Sequence, residues 1–482
     1  MPAASTEDGK MEREFDVVVI GAGPAGEVLA GRLAERGGKR VVIVERHLVG
    51  GECSFYACMP SKALLRPAEL LREVARVPGA AEAVTGPLDV GAVLARRDEI
   101  VNNLDDAQQV PWLTARDIEL VRGHARLEGE RRVRVGEDVL TAREAVVIAV
   151  GSGALVPPIP GLGEVSAWSN REITTAREVP GRLIVLGGGV VGVEMAAAWA
   201  SLGSQVTVIE ALDRLVAREE PFAGELLRAA LERQGVRVLT SVRATAAARS
   251  GEDVAVTLET GETVTGDRLL VAIGRRPLTS DLGLETLGLD PHGYIDVDDH
   301  LCVIGAPGLY AIGDVNGRSL LTHSGKYQAR IAADHILGEP ATARTDGPGA
   351  PRVVFTDPQI AAVGLTLEAA QAAGIQAEAF DLPTGGTAGA SFYGRNDPGV
   401  SRFVVDARRQ VLVGVTLTGT EVADFLQAAT IAIVAEVPLS TLAHAVAPFP
   451  TRSELWLKFL EAYETAKGTS LHASSQPAAV VS

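Results

Sequence analysis

The chain has 482 residues, 46% hydrophobic and 22% charged, the balance of an ordinary soluble globular protein with length for roughly three domains. A net charge of −16 argues against nucleic acid or an anionic membrane as partner, and no apolar run approaches the roughly 18 residues of a membrane span. Three cysteines exclude a disulfide-stapled secreted fold, so the cytoplasm is the expected compartment.

Residues 1–14 lack the apolar core of a secretory signal and read as a disordered tail. The run Phe15–Ile20 suits a strand buried on both faces of a parallel sheet. It leads into Gly21-Ala-Gly-Pro-Ala-Gly26, a dinucleotide fingerprint in which each glycine has its own task. Gly21 makes the tight turn, Gly23 admits a pyrophosphate to the backbone, and Gly26 lets the following helix lie close to the strand. The helix N-terminus holds the phosphate charge. Glu27 to Arg36 reads as that helix and Val41–Glu45 as the next strand. Glu45 falls about 20 residues after Gly26, where a carboxylate grips ribose hydroxyls.

Next comes Gly50-Gly-Glu-Cys-Ser-Phe-Tyr-Ala-Cys-Met-Pro-Ser-Lys62, which holds Cys53 and Cys58 with four residues between them. Packing as two reduced cysteines explains poorly why a cysteine-poor chain sets two thiols here. A metal site lacks further Cys or His nearby, so no metal is expected, and a redox pair fits best. Along a regular helix the two positions are roughly 7.5 Å apart, beyond the roughly 4.4–6.8 Å that a disulfide spans. If they bond, Cys53 must sit on an irregular lead-in to the helix carrying Cys58, an arrangement that Pro60 suits.

Residues 61–76 and 92–108 have helical patterns, and 119–150 alternates like strands, ending at Gly151 and Ser152. A second fingerprint follows: strand Arg182–Leu186, turn Gly187-Gly-Gly-Val-Val-Gly192, helix Val193–Leu202 and a strand ending at Glu210. Two dinucleotide folds imply two dinucleotides. Glu210 lies about 20 residues after Gly192, where a carboxylate bonds a free ribose and repels a 2′-phosphate. NADH is therefore preferred, with NADPH the alternative because Arg214 is near. Leu269–Gly274 and Leu309–Asp314 are further strand-and-turn segments. Cys302 lies in an apolar run and reads as core. A linker at 338–350 precedes strands from Val353 onward and helices near 366–373, 420–436 and 453–464.

These motifs resemble the pyridine nucleotide-disulfide oxidoreductases, from about Phe15 to Tyr463. The resemblance implies an α/β fold: two dinucleotide-binding, Rossmann-like domains and a C-terminal α+β dimerisation domain. The FAD-binding domain would be split over 15–154 and 275–345, with an NAD(P)-binding domain at 155–274. Residues 350–466 would form the interface domain and 467–482 a second disordered tail. It further implies FAD held by Gly21, Gly23, Pro24, Gly26, Glu45, Arg46, Gly51, Lys62, Ala125, Gly151, Ser152, Asp314, Leu321 and Thr322. The nicotinamide cofactor falls to Gly187, Gly189, Gly192, Glu210 and Gly274. Cys53 and Cys58 become a redox-active disulfide, Cys58 facing the flavin and Cys53 the substrate. Lys62 pairs with Glu194 beside the flavin. The active site is completed by the other subunit of a homodimer.

The chain departs from that pattern in places. Val190 stands where relatives carry a tyrosine gate, and Val150 replaces a threonine in the turn after the FAD domain. Most relatives carry His-Pro-Thr followed by Glu in the interface domain, the histidine moving protons for the cysteine pair. Here Glu454 is present but Phe449 occupies the histidine position. His444 lies upstream and does not match. Loss of a general acid–base lowers rates by roughly 10²–10⁴-fold, which argues against dihydrolipoamide or glutathione as substrate. The tail carries no cysteine pair of the kind that serves mercuric reductases. The expectation is a flavin-dependent NAD(P)H oxidoreductase passing electrons through Cys53 and Cys58 to a small-molecule acceptor that does without the histidine. The alternatives are a quinone- or oxygen-reducing diaphorase working from flavin directly, and a flavin-binding subunit without turnover.

Overall fold

The computed structural model describes residues 12–394 and 399–474. Its first strand, β1 (Glu12–Ile20), is apolar from Val17 to Ile20 because it lies inside a seven-stranded sheet with both faces covered. It pairs in parallel with β2 (Val41–Glu45) on one side and with the strand Asp138–Ile148 on the other. Between β1 and β2 runs α1 (Pro24–Gly37), closed by Gly38 in the left-handed conformation. The short α2 (Gly51–Phe55) and the longer α3 (Cys58–Arg76) follow β2. Much further along the chain, Leu309–Ala311 returns to pair in parallel with Asp138–Ile148.

A second, four-stranded parallel sheet contains β3 (Arg182–Leu186) and β4 (Gln205–Ile209), joined by α4 (Val190–Ser201), with Arg237–Leu239 and Arg268–Val271 at its edges. α4 is buried nearly all round, from Val193 to Trp199, so its sequence carries no polar stripe. The chain passes between the two sheets through an antiparallel ribbon of Ser152–Ala154 and Arg275–Pro277, which sets both crossings side by side. α5 (Thr322–Ile336) then packs Ala329, Ala332 and Ala333 into the core that holds Leu29, Ala30 and Leu33 of α1.

Beyond it, β5 (Arg352–Val354) opens a five-stranded antiparallel sheet with Gln359–Gly364, Val411–Gly419, Val400–Asp406 and Ala377–Pro383. Helices Val422–Val434 and α6 (Glu454–Lys467) contribute to its core, with the Phe403 and Phe459 rings stacked at 4.3 Å. This mixed α/β architecture is the one the sequence predicts.

Some local expectations are corrected. Glu12, Arg13 and Glu14 are not tail but the start of β1, paired with Val139, Leu140 and Thr141; a charged strand end has no apolar alternation to mark it. The helical pattern over 92–108 stops at Ile100, where Asn102, Asn103 and Leu104 turn to positive φ. At the C-terminal end, composition predicts disorder from Lys467. Instead Lys467 closes α6, and a 3-10 turn at Leu471–Ser474 returns with Leu471 buried. The rest of both expected tails, 1–11 and 475–482, lies outside the described residues. Cys302 is half-buried rather than core, bridged to Tyr310.

Candidate active site

An open cleft of about 230 Å³ runs from the N-terminus of α1 to that of α5. Its floor is the first fingerprint. At Gly21, φ is +103° and a Cβ would lie 2.5 Å from the Ala149 carbonyl oxygen. At Gly26 a Cβ would lie 2.0 Å from the Gly21 oxygen, so the helix could not approach the strand. Gly23 differs: nothing lies within 4 Å of where its Cβ would be, and it lines the cleft beside Pro24. Glu45 is pinned at the cleft edge, its two oxygens accepting from Ala22 N at 2.8 Å and His47 N at 2.7 Å. Arg46, Gly51, Ala125 and Gly151 line the same space. At the other end the Ser152 hydroxyl donates to Asp314 at 2.5 Å, and Arg275 Nε donates to Ser152 Oγ at 2.6 Å. Leu321 and Thr322 close the wall. Open backbone at Gly23, a fixed carboxylate at Glu45 and a polar end at Asp314 fit the pyrophosphate, ribose and ribityl groups of FAD.

The second fingerprint repeats the geometry. Gly187 has φ +107° with the Ala272 oxygen 2.4 Å from a Cβ, Gly192 abuts the Gly187 oxygen, and the Cβ position of Gly189 is open. Glu210 accepts from Gly188 N at 2.5 Å and Leu212 N at 2.7 Å. Arg214 is engaged elsewhere, donating to the Ala217 oxygen at 3.1 Å and to Asp213 at 3.3 Å. Gly274, at φ +145°, accepts from Leu155 N at the return to the first sheet.

Cys53 sits in the single turn of α2, which ends at Tyr56; Ala57, at φ −136° and ψ −94°, breaks the backbone before Cys58 opens α3. This is the irregular lead-in that the spacing requires, with Pro60 buried in the first turn of α3. Both cysteines are free thiols, and each acts on the other's proton affinity. The Thr322 hydroxyl lies 3.4 Å from Cys58 Sγ. The Cys53 thiol holds the Cys58 thiol down to about 6 against burial, assisted by Thr322 and by the charge of Lys62. Cys53 is pushed the other way by Cys58 and by burial. Of the two, Cys53 lines the cleft, and Cys58 meets it through Thr322.

Lys62, one turn along α3, donates to Glu194 Oε2 at 2.8 Å. Glu194 is 3% exposed, and its other oxygen accepts from Phe355 N at 2.9 Å. The Lys62 ammonium also lies 4.6 Å from the Phe355 ring centroid. The residue following β5 thus ties the third sheet to this pair. Sequence reasoning passes over Phe355, and also Glu52, which lines the cleft and binds Arg171 at 2.5 Å and Asn170 at 2.7 Å. A carboxylate between a glycine pair and a cysteine is the signal that could have found Glu52.

Phe449 is not brought to the cysteines within one chain. It is 75% exposed on the turn before α6, and Glu454 Oε2 is buried without a hydrogen-bond partner among the described residues. Among the described residues, the side chains acting on the Cys53 proton are Cys58, Thr322 and Lys326, none of them an imidazole. His323, next to Thr322, faces the Pro351 oxygen at 2.6 Å, while His444 is exposed against His472.

Residues 15–333 match the family model for pyridine nucleotide-disulphide oxidoreductases, and 350–458 match that family's dimerisation domain. The chain is 34% identical over 459 residues to a dihydrolipoyl dehydrogenase of Thermus scotoductus, covering 93% of this chain and 97% of that one. It is 33% identical to a mercuric reductase of Acidithiobacillus ferrooxidans, covering 94% and 82%. Among solved structures it resembles the Cu(II) complex of the HOCl-induced flavoprotein disulfide reductase RclA from Escherichia coli, with TM-score 0.82 and 27% identity over 93% of this chain and 99% of that one.

Proposed function

This chain belongs to the pyridine nucleotide-disulphide oxidoreductase family and is a FAD-dependent oxidoreductase of pyridine nucleotides; from that premise we propose that its electrons leave through Cys53 and Cys58 to a small-molecule acceptor that needs no imidazole. The observation carrying this reading is the thiol pair at the start of α3, one low and one high in proton affinity, with Phe449 standing apart. The class of acceptor is an electrophile, a quinone or a metal ion.

Bound FAD supplies two-electron transfer between the nicotinamide and the sulfurs. The protein's share is positioning and charge. Glu194 holds Lys62 close to Cys58, where the ammonium favours negative charge. The Cys58 thiolate is stabilised by the Cys53 thiol, Thr322 and the N-terminal end of α3. By the family resemblance we assign Cys53 to the acceptor and Cys58 to the flavin. We assign FAD to 15–154 with 275–345 and the nicotinamide cofactor to 155–274. NADH is our preferred cofactor because the Glu210 carboxylate would repel a 2′-phosphate and Arg214 is engaged by Ala217 and Asp213. Family membership with a dimerisation domain supports a homodimer. The apolar exposure of Val446 and Phe449 supports completion of the site by the second subunit. Among the described residues no helix is long and apolar enough to cross a membrane, and we place the enzyme in the cytoplasm.

The second reading, electrons passing directly from flavin to quinone or oxygen, draws support from Val190, which is exposed where a tyrosine gate would stand. Anaerobic titration of FAD-loaded protein with NADH separates the two. Two-electron uptake with a long-wavelength thiolate–flavin band supports the cysteine route. Immediate flavin bleaching favours the second reading, and no reduction would mean a subunit without turnover.

A further inference from the structure

We propose that Asn170 and Glu52 are positioning residues for the dithiol: between them they fasten the turn that carries Cys53 to the second sheet, and so hold the outer sulfur in place against the inner one. This role rests on the cysteine route above. Pro60 creates the need for it. In a continued helix the Tyr56 carbonyl would accept from the amide four residues on, and Pro60 has no N–H to give. The donors come instead from the helix Asn170–Thr175: Asn170 Nδ2 at 3.1 Å and the Thr174 hydroxyl at 3.1 Å. The same Asn170 Nδ2 donates to Glu52 Oε2 at 2.7 Å, and Arg171 Nε donates to Glu52 Oε1 at 2.5 Å. The Arg171 guanidinium also lies 4.7 Å from the Tyr56 ring centroid. Glu52 and Tyr56, on either side of Cys53, are thus tied to one short helix.

That helix is itself fixed to the second sheet. Just before it, Trp168 N donates to the Leu269 oxygen at 2.7 Å, and the Trp168 oxygen accepts from Val271 N at 2.9 Å. Ser169 and Glu172 close a capping box at its start. Ile173 is buried in one core with Leu183 and Val185 of β3. The far end is held by the buried Arg97, which donates to the Thr174 and Ala176 oxygens at 2.6 Å and 2.9 Å. Cys58 is placed by other parts of the fold: it opens α3 and meets Thr322 of α5. The setting of one sulfur against the other therefore depends on the grip of the helix Asn170–Thr175, and a turn released from it would leave Cys53 free to move.

Holding one thiol against another raises its effective concentration there and favours disulfide over dithiol. A tie that only joined two parts of the fold would add stability without changing that balance. The equilibrium that tells them apart is enzyme dithiol with oxidised dithiothreitol, giving enzyme disulfide and reduced dithiothreitol. Two electrons and two protons pass from Cys53 and Cys58 to the reagent; its sulfur–sulfur bond breaks as the enzyme's forms. Asn170 gives the cleaner variant, because Glu52 lines the cleft assigned to FAD and Asn170 is not among the lining residues.

The test is that equilibrium in FAD-loaded enzyme, held anaerobically in dithiothreitol buffers of stepped ratio and read as the disulfide fraction by mass spectrometry after alkylation. Asn170→Ala is expected to lower the equilibrium constant for disulfide formation about 10-fold. Glu52→Ala should act in the same direction, which gives a second reading should the first variant not fold. Glu52→Gln keeps an oxygen for Asn170 and should recover most of the loss. Variants that melt at lower temperature yet keep the wild-type equilibrium overturn the positioning role alone. A wild-type enzyme in which Cys53 and Cys58 form no disulfide at any buffer ratio overturns the cysteine route and this role with it.

Discussion

On the cysteine route proposed above, the side of the molecule where electrons would enter and the side where they would leave are built differently. On the entry side, Lys62, Glu194 and Phe355 come from three sheets' worth of structure, and both oxygens of a buried carboxylate are satisfied within one chain. Near the exit, Phe449 is exposed and one buried oxygen of Glu454 has no partner among the described residues. A buried carboxylate must be paired or hydrogen-bonded to be tolerated. The entry side meets that requirement alone, whereas the exit side is left to be finished from outside. On that route, Phe449 in place of His would alter what the dithiol can do, not how it is charged with electrons.

The sharpest way to break this comparison is to remove the inner sulfur. Cys58→Ser should lower NADH-dependent acceptor reduction by more than about 10³-fold, since no disulfide is left to take electrons from the flavin, while NADH still bleaches the flavin. Retained acceptor turnover would place the exit at the flavin. Next, Phe449→His should restore a general acid–base to the exit and raise activity on a small disulfide by roughly 10²-fold. Entry, read as the stopped-flow rate of flavin reduction, should not change. An unchanged disulfide activity would remove Phe449 as the reason for the altered exit. A smaller effect is expected at Glu210. Glu210→Ala deletes the carboxylate that caps Gly188 and Leu212, and should lower the NADH-to-NADPH ratio of kcat/KM about 10-fold.

Much of the entry side is legible in sequence because its chemistry is tied to local spacing. Gly21, Gly23, Gly26 and Glu45 belong to one strand–helix–strand unit, and so do Gly187, Gly189, Gly192 and Glu210. Cys53 and Cys58 announce their irregular connection through a spacing that no regular helix bridges. What sequence does not carry is contact between distant segments. Phe355 reaches Glu194 through a backbone N–H, a group every residue but proline owns. The start of β1 was hidden for a related reason: Glu12 to Glu14 join the sheet through backbone pairing while their side chains look like tail.

The smallest effect is also the one that best separates the two sides. The Cys58 thiol is held down to about 6 by Cys53, Thr322 and Lys62, with burial opposing them. A thiol whose folded value is depressed contributes stability that is fully present above its unfolded value near 9 and lost as pH falls through about 6. The thiolate–flavin absorbance of NADH-reduced enzyme should follow the same course, halving near pH 6. Thr322→Val removes one hydrogen bond to the thiolate and should move that midpoint to higher pH. Phe449→His should leave the midpoint where it is, because nothing from that turn acts on Cys58 within the chain. A shift in the second variant comparable to that in the first would mean that the partner subunit reaches the inner sulfur, and that entry is no more self-contained than exit.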